Sequence, residues 1–330
     1  MLRCFFLLPL PLLAASHTIT ANKFYHTFHR GNPVLARIQP GDTINTKTLD
    51  AAGQDENNKQ LSEPSNPLTG PFYIVGAEPG DAIAVKFERM RLNRNWGWTN
   101  YRLGLFSLTA DSIETLYSRQ YKDGLVHRDR ADQVPWDIDL KTNTVRLREP
   151  KSSVVKFEFP ARPMLGCVGV AAPADFGPTS AISGNYGGNM DYNEVVEGAT
   201  LILPVFHPGA LLYLGDGHAL QGDGEPTGTG IETSMDVSFT VTLQKGANIP
   251  GPRIVNNDWI IAIGSQPEFV SSLDHTLKVA TSHMASWLVK EYKLEPWAAH
   301  QLIGYQGKYD VVTVHGSMAL RIPRRVLSGR

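Results

Sequence analysis

Apolar and polar residues alternate along several short segments of the chain, a pattern typical of half-buried β-strands. The strongest segment covers residues 231–243, where every second residue from Met235 onward is apolar and the residues between are Ser, Asp or Thr. Residues 43–50, 82–89 and 210–216 form three similar segments, and each follows a Pro-Gly turn. The 30 glycines and 22 prolines add turn signals along the whole chain. The pattern therefore predicts a mainly β protein with many short strands.

The pattern changes in the last quarter of the chain. Residues 274–292 carry apolar side chains at helical spacing, and Pro296 suits the first position of a second helix. A last strand is predicted at residues 309–314. We therefore expect a β-rich body over residues 17–243 and an appended α+β part over residues 244–330.

The composition is that of an ordinary folded protein of 330 residues, with 42% hydrophobic and 19% charged residues. The formal net charge is -1 and the isoelectric point is near 6.8. Because neither value provides a general attraction to polyanions, we expect no nucleic-acid partner and no binding to anionic membranes.

Residues 1–16 have the pattern of an export signal. A short basic start is followed by an apolar run from Cys4 to Leu13 and by small residues suited to cleavage near Ser16 or His17. The apolar run is too short to span a bilayer, so an uncleaved anchor is the less favoured alternative. We expect a secreted or periplasmic protein with no membrane association after cleavage. Cys167 would then be the sole remaining cysteine, which excludes an internal disulfide.

The densest group of chemically active side chains lies within residues 207–225. A short apolar strand leads there into a loop in which glycines alternate with Asp216, His218, Asp223 and Glu225. Glycine lets the backbone approach a ligand closely, whereas a flexible linker would not carry so many acids and histidines. Strand alternation places Asp216 and His218 on the same side of the sheet, at the strand's end. This segment is therefore predicted to form a functional site.

Other candidate residues lie far away in the sequence. Residues 184–191 form a second glycine-rich loop that ends with Asn189 and Asp191, and Asp50 stands where the strand at 43–50 ends. An asparagine side chain can both donate and accept hydrogen bonds, which suits it to recognise an amide. For Asp50, a role in a site and a role in a turn are about equally supported.

Two residues have a structural interpretation as well as a chemical one. Cys167 lies in an apolar run, where a free thiol usually behaves as a small buried hydrophobic group. A nucleophilic cysteine would need a nearby base and an electropositive environment, and the sequence places no histidine close to it. Glu232 begins the 231–243 strand on its polar side, so we expect it to be exposed to solvent.

Aspartate and neutral histidine side chains are suitable ligands for a divalent ion such as zinc. A nearby glutamate could take a proton from water and return it to a leaving amine. An Asp-x-His spacing is short and common, so His218 could alternatively cap a backbone carbonyl. The spacing alone leaves both interpretations open.

Several motifs keep the order and context of a known family over nearly the whole chain after residue 16. They are Pro-Gly-Asp-Thr-Ile, Thr-Leu-Asp-Ala, Asn-Pro-Leu-Thr-Gly-Pro, Gly-Ala-Glu-Pro-Gly-Asp, Gly-Cys-Val-Gly-Val-Ala, Gly-Gly-Asn-Met-Asp and Gly-Asp-Gly-His-Ala-Leu-Gln-Gly-Asp-Gly-Glu. In this combination the chain resembles the acetamidase/formamidase family. The resemblance implies a jelly-roll-like β-sandwich body with the α+β part appended, hydrolysis of small non-peptide amides, and a homo-oligomer.

The resemblance also indicates which residues form the site. The expected metal ligands are Asp50, Asp191 and His218, with Asp216 as a further ligand or as the carboxylate that orients the imidazole. Glu225 is expected to be the general base, and Asp216 and Asp223 complete the catalytic candidates. Asn189 and Gln221 are expected to bind the amide or its oxyanion. The expected cofactor is a divalent metal, zinc first and calcium as the alternative.

Three hypotheses follow from the sequence. The leading one is a metal-dependent amidohydrolase that acts on formamide, acetamide or a related amide or lactam. The second keeps the amidase activity but uses Cys167 as a nucleophile. The third, from a different class, is a secreted β-sandwich protein that binds a small polar ligand without converting it.

Overall fold

The computed structural model describes residues 14–100, 107–117, 133–149, 151–265 and 272–327. The predicted export signal lies outside these residues, except for its last positions. Within them the chain is mostly β, with three sheets and three α-helices. None of the helices in these ranges is long and apolar enough to cross a membrane.

The strands are short and follow one another closely along the chain. They are β1 (Ser16–Thr18), β2 (Ala36–Ile38), β3 (Thr43–Thr48), β4 (Leu68–Ile74), β5 (Ala82–Leu92), β6 (Trp96–Asn100), β7 (Gln133–Asp139), β8 (Thr144–Leu147), β9 (Glu158–Pro160), β10 (Met164–Gly169), β11 (Ser183–Gly184), β12 (Gly187–Asn189), β13 (Thr200–Pro204), β14 (Leu212–His218), β15 (Met235–Gln244), β16 (Arg253–Val255), β17 (Trp259–Gly264), β18 (Lys308–Thr313) and β19 (Ser317–Pro323). The helices are α1 (Ala110–Tyr117), α2 (Leu273–Lys290) and α3 (Pro296–Gln306), and a 3-10 turn follows at Arg324–Val326.

Two of the sheets pack face to face. The larger has nine strands in the order β1-β3-β15-β5-β13-β16-β17-β19-β18, and the smaller has six in the order β11-β12-β10-β14-β4-β2. One apolar core joins them, and Phe72 of β4 meets Phe239 of β15 edge to face with ring centroids 5.4 Å apart. A third sheet has four strands in the order β6-β7-β8-β9. The expectation of a mainly β sandwich is confirmed.

The last quarter of the chain adds helices to the larger sheet. Strands β16–β19 continue that sheet, and α2 packs its apolar side, which includes Met284 and Trp287, against β17 and β19. Ser272 caps the start of α2, since its side chain accepts a hydrogen bond from the backbone of His275. Pro296 begins α3 as predicted. Strand β19 was not anticipated from the sequence, and the boundary at residue 244 stays a prediction.

The third sheet has an exposed edge strand, β9, which comprises Glu158–Pro160. Residues 154–157, just before it, include three apolar side chains but form no strand. Val154 is 87% exposed, so its apolar character is not used in a core. Apolar residues favour a strand where one face of the strand is buried. Among the described residues, no other element packs against this edge of the sheet.

The aspartates of the Pro-Gly-Asp turns hold the ends of strands. Asp81 is buried and accepts hydrogen bonds from the backbone of Glu78 at 2.8 Å and of Gly246 at 2.9 Å, and from Lys245 Nζ at 2.6 Å. Burial acts to raise the pKa of Asp81, but the Lys245 ammonium and the two backbone donors outweigh this and lower it. Asp81 therefore ties the start of β5 to the end of β15.

We expect Asp81→Asn to lower the free energy of unfolding by about 1–3 kcal/mol at pH 7, because charge-assisted hydrogen bonds to a buried group are lost. The pKa of Asp81 is lower in the folded than in the unfolded state, so its stabilisation is present above about pH 4 and is lost as the pH falls further. Urea unfolding at pH 7 and below pH 4 measures this. A difference between the proteins that stays constant over this range would contradict the assignment.

Candidate metal and catalytic site

Strand β14 carries two of the predicted site residues into the interior. Every residue of β14 is buried, and Asp216 has a left-handed backbone with φ of +60°. Gly217 lies against β15, since a Cβ atom there would come within 2.8 Å of the Thr233 carbonyl oxygen. The strand pairs with β10 on one side, with Met164 opposite His218. Asp216 and His218 therefore lie at the inner end of β14, enclosed by neighbouring strands.

A second carboxylate reaches the same point from another loop. Asp191 follows β12 and also has a left-handed backbone, with φ of +49°. Its backbone nitrogen donates to the carbonyl of Gly166 at 3.2 Å. A side chain at Gly166 would collide with both carboxylates, since its Cβ atom would lie 2.5 Å from Asp216 Oδ2 and closer still to Asp191 Oδ1. Gly166 therefore leaves the space in which Asp191 and Asp216 approach each other.

Three ligand-type side chains converge here. One ligand atom each from Asp191, Asp216 and His218 lies within 4.8 Å of the others, and all three residues are buried. His218 Nε2 is 3.4 Å from Asp216 Oδ1. Among the described residues, these two atoms and Asp191 Oδ1 make no hydrogen bond of acceptable geometry, although Glu232 Oε1 lies 3.0 Å from His218 Nε2. Buried polar atoms are normally satisfied, so three converging unsatisfied atoms indicate the position of a ligand.

Two glutamates approach the same imidazole nitrogen. His218 Nε2 is 3.0 Å from Glu232 Oε1 and 4.0 Å from Glu225 Oε1, and the three residues form a second group that could hold a metal. Glu225 also has a left-handed backbone, with φ of +47°. Uncommon backbone angles are unfavourable, so they persist only where the surrounding structure holds the residue in place. Such residues are often found at functional sites.

The expectation that Glu232 is exposed was wrong. Its side chain is buried, with 2% of the residue exposed. Glu232 precedes β15 and forms isolated bridges to Trp98 on one side and to His218 on the other, so it is covered by both. The alternation along β15 does not indicate that Glu232 is buried, because the residues that cover it, Trp98 and His218, come from distant parts of the chain.

The cluster holds an excess of buried negative charge. Burial raises the pKa of Asp191 and of Glu232 to about 8 each, and neighbouring carboxylates add to this effect. Burial and the charge of Asp191 likewise raise the pKa of Glu225. Burial acts to lower the pKa of His218, but the charges of Glu232 and Asp216 outweigh it and raise the pKa. A divalent cation would compensate this charge, so the donor set fits one.

Carboxamide side chains surround the cluster. Asn189 Nδ2 donates to Asp191 Oδ2 at 2.5 Å, and Gln221 Oε1 is 2.7 Å from His218 Nδ1. Asn66 Nδ2 donates to Asp216 Oδ2 at 3.2 Å and to Asn189 Oδ1 at 3.0 Å. Asn66 was not among the predicted site residues, although it begins the Asn-Pro-Leu-Thr-Gly-Pro motif. The folded chain brings it to the cluster from the loop before β4.

A protein-family model matches most of this chain. The family model described as "Acetamidase/Formamidase family" matches residues 14–179 and 180–273. The chain belongs to the acetamidase/formamidase family. The matched ranges contain the whole cluster, together with Asn66, Asn189 and Gln221.

Named relatives of this family are similar along most of the chain. A putative formamidase from Schizosaccharomyces pombe is 23% identical over 67% of this chain and 63% of its own length. A formamidase from Methylophilus methylotrophus is 23% identical over 68% of this chain and 64% of its own length. The chain thus spans somewhat less than two thirds of these relatives. The crystal structure of an acetamidase from Yersinia enterocolitica is 27% identical, covers 96% of this chain and 94% of its own, and superposes with a TM-score of 0.77.

Two of the site candidates taken from the family resemblance lie outside the cluster. Asp50 is fully buried, but Arg94 Nη2 at 2.8 Å and Trp98 Nε1 at 3.3 Å donate to its Oδ2, and the backbone of Gln54 donates to its Oδ1. It belongs to neither group of potential metal ligands among the described residues. Asp223 is exposed and accepts a hydrogen bond from Asn193 at 2.7 Å.

Cys167 is next to the cluster but is poorly suited to act as a nucleophile. It is completely buried, and its thiol donates to Asn189 Oδ1 at 2.6 Å. Burial, with the negative charges of Asp216 and Asp191, raises the pKa of the Cys167 thiol. The thiolate form that a nucleophile requires is therefore disfavoured.

We expect Cys167 in the native protein to resist a soluble thiol reagent at pH 8 and to react fully once the protein is unfolded in guanidinium chloride. The reason is its burial together with the raised pKa of its thiol. Absorbance after addition of an aromatic disulfide measures the reaction. A Cys4→Ser variant makes Cys167 the only thiol in the chain, and rapid labelling of that native variant would contradict the expectation.

Proposed function

We propose that this chain hydrolyses the C–N bond of small non-peptide amides, such as formamide and acetamide, with a divalent metal held by Asp191, Asp216 and His218. The three unsatisfied atoms that converge in the buried cluster carry this proposal. Membership of the acetamidase/formamidase family supports the reaction, and the names of the relatives support the substrate class.

The residues suit zinc better than calcium. Zinc readily takes an imidazole nitrogen together with carboxylate oxygens, in sites of three protein ligands and one open position. Calcium prefers six to eight oxygen ligands, and an imidazole does not provide one. Glu232 Oε1, 3.0 Å from His218 Nε2, is close enough to the ligand atoms to contribute as well. A bound ion would supply Lewis acidity, which polarises an amide carbonyl and makes water more acidic.

Glu225 is the general base of the proposed reaction. Its Oε1 is 4.0 Å from His218 Nε2, and burial together with the charge of Asp191 raises its pKa, which makes its carboxylate a stronger base. Water adds to the carbonyl carbon as Glu225 takes its proton. Glu225 then gives this proton to the amide nitrogen as the C–N bond breaks. The products are a carboxylic acid, which ionises, and ammonia.

We also infer that the protein is exported after removal of residues 1–16 and that it forms a homo-oligomer. The basic, apolar and small-residue pattern of the first residues supports export. Removal of the segment near Ser16 would keep most of β1, which pairs in parallel with β3. Sequencing the N-terminus of the protein recovered from the culture medium or periplasm, and light scattering of the purified protein, test these two inferences.

We expect His218→Ala to bind no stoichiometric zinc and to release no ammonia from formamide or acetamide, because the central ligand of the cluster is removed. Metal analysis of the purified protein and an ammonia assay measure this, with circular dichroism to confirm folding. His300→Ala is the matched control, since His300 is an exposed histidine on α3. Full activity of folded His218→Ala would overturn the metal role. Absence of ammonia release by the wild-type protein from every short amide would favour the binding-protein alternative.

We expect Glu225→Gln to lower kcat by about 10²-fold or more while zinc remains bound, since general acid–base catalysis typically contributes 10²–10⁴-fold. Asp223→Asn is the matched control, because Asp223 is an exposed carboxylate of the same loop. Steady-state ammonia release together with metal content measures both variants. If Glu225→Gln kept the wild-type kcat, Glu232 would become the candidate base.

A further inference from the structure

Each of the three proposed ligand residues has one polar side-chain atom without a hydrogen bond and one that is hydrogen-bonded. The atoms without a hydrogen bond are Asp191 Oδ1, Asp216 Oδ1 and His218 Nε2. The other polar atom of each residue is bound by a carboxamide side chain. The three carboxamides belong to Asn66, Asn189 and Gln221. We propose that these side chains are positioning residues that orient the metal ligands, and this inference rests on the proposed function.

The orientation of each carboxamide is determined by its partners. Around a bound cation both aspartates would be ionised and their oxygens would only accept, so the Asn66 and Asn189 groups that face Asp216 Oδ2 and Asp191 Oδ2 must be the NH₂ donors. The two asparagines are also joined, because Asn66 Nδ2 donates to Asn189 Oδ1 at 3.0 Å. A single amide pair therefore sets the rotation of both carboxylates.

Gln221 does the same for the imidazole. Its Nε2 donates to the backbone carbonyl of Asp191 at 2.5 Å, so its Oε1 must be the atom that faces His218 Nδ1. An amide oxygen only accepts, and His218 Nδ1 therefore carries a proton. An imidazole that binds a metal does so in its neutral form, and with the proton on Nδ1 its lone pair would be on Nε2, the atom that faces the carboxylates. Gln221 thus sets the tautomer of His218 and braces the left-handed backbone of Asp191.

Carboxamides suit this place because they hold ligands without changing the charge of the site. Lysine or arginine at the same positions would neutralise the carboxylates and compete with a cation. Histidine ligands more often donate to a carboxylate or a backbone carbonyl, and loss of such partners typically costs 10–100-fold in metal affinity or activity. The structure therefore assigns Asn189 and Gln221 to the support of the ligands, where the sequence had suggested contact with the amide substrate.

Gln221 offers a pair of nearly isosteric variants. Gln221→Met removes both hydrogen bonds, and we expect it to weaken Zn²⁺ binding by about 10–100-fold. Gln221→Glu keeps an acceptor for His218 Nδ1, so we expect it to recover most of the affinity that Gln221→Met loses. Competition with a chromophoric chelator, starting from metal-free protein, measures the dissociation constant for Zn²⁺.

The asparagines can be tested against controls of the same geometry. Asn66 has φ of +51°, so Asn66→Gly removes the amide without straining the backbone, and Asn143→Gly is its control because Asn143 has φ of +54° on the exposed surface. Asn189→Ala is paired with Asn193→Ala, whose amide donates to Asp223 outside the cluster. We expect the two cluster variants to weaken Zn²⁺ binding by about 10–100-fold and the two controls to leave it unchanged.

The outcomes separate this inference from the proposed function. Failure of the wild-type protein to bind Zn²⁺ would overturn both. Wild-type Zn²⁺ affinity in Asn66→Gly, Asn189→Ala and Gln221→Met would overturn the positioning role and leave the proposed function intact. A raised KM for acetamide in Asn189→Ala or Gln221→Met, with Zn²⁺ affinity and kcat unchanged, would assign those side chains to substrate contact instead.

Discussion

The structure depends on the burial of several carboxylates around one imidazole. Two unit charges about 4 Å apart interact by about 4 kcal/mol at an effective dielectric constant of 20. Asp191, Asp216, Glu225 and Glu232 are all buried beside His218, so the mutual repulsion with all four ionised would be large compared with the stability of a typical domain. A histidine cation offsets part of this repulsion, and a bound divalent cation would offset more. The site can exist only where the surrounding fold is rigid enough to hold it.

The β-sandwich provides that rigidity. The carboxylates and the imidazole come from β14, from the loops after β12 and β14, and from the segment just before β15, so segments next to strands of both large sheets contribute. Asp191, Asp216 and Glu225 all have left-handed backbones, a conformation that few residues adopt without support from their neighbours. The absence of a side chain at Gly166 lets two carboxylates approach each other, and the amides of Asn66 and Asn189 hold them in place. The backbone geometry, the close packing at Gly166 and the hydrogen bonds therefore all fix the positions of the same few carboxylate atoms.

The similarity to known acetamidases is stronger in structure than in sequence. The Yersinia enterocolitica enzyme shares 27% of residues with this chain and superposes along nearly all of it. A core tolerates many apolar replacements if its volume and alternation are kept. The buried polar cluster tolerates few, because each polar atom needs a particular partner. The short motifs that carried the family resemblance include most of these polar positions, but not Glu232.

The sequence by itself determined the mainly β class, helices α2 and α3, and the central place of Asp216 and His218, because alternation, helical spacing and glycine-rich loops are local signals. Its motifs also brought Asp191, Asn189, Gln221 and Glu225 into consideration. Only the tertiary structure decided which of these residues meet. It paired Asp50 with Arg94 and left Asp223 at the surface. It also brought in Glu232, which had no local signal, and Asn66, which lies in a family motif but was not among the expected site residues. The physical reason is that strand periodicity specifies a face, whereas contact between side chains depends on register and on layers formed by distant segments.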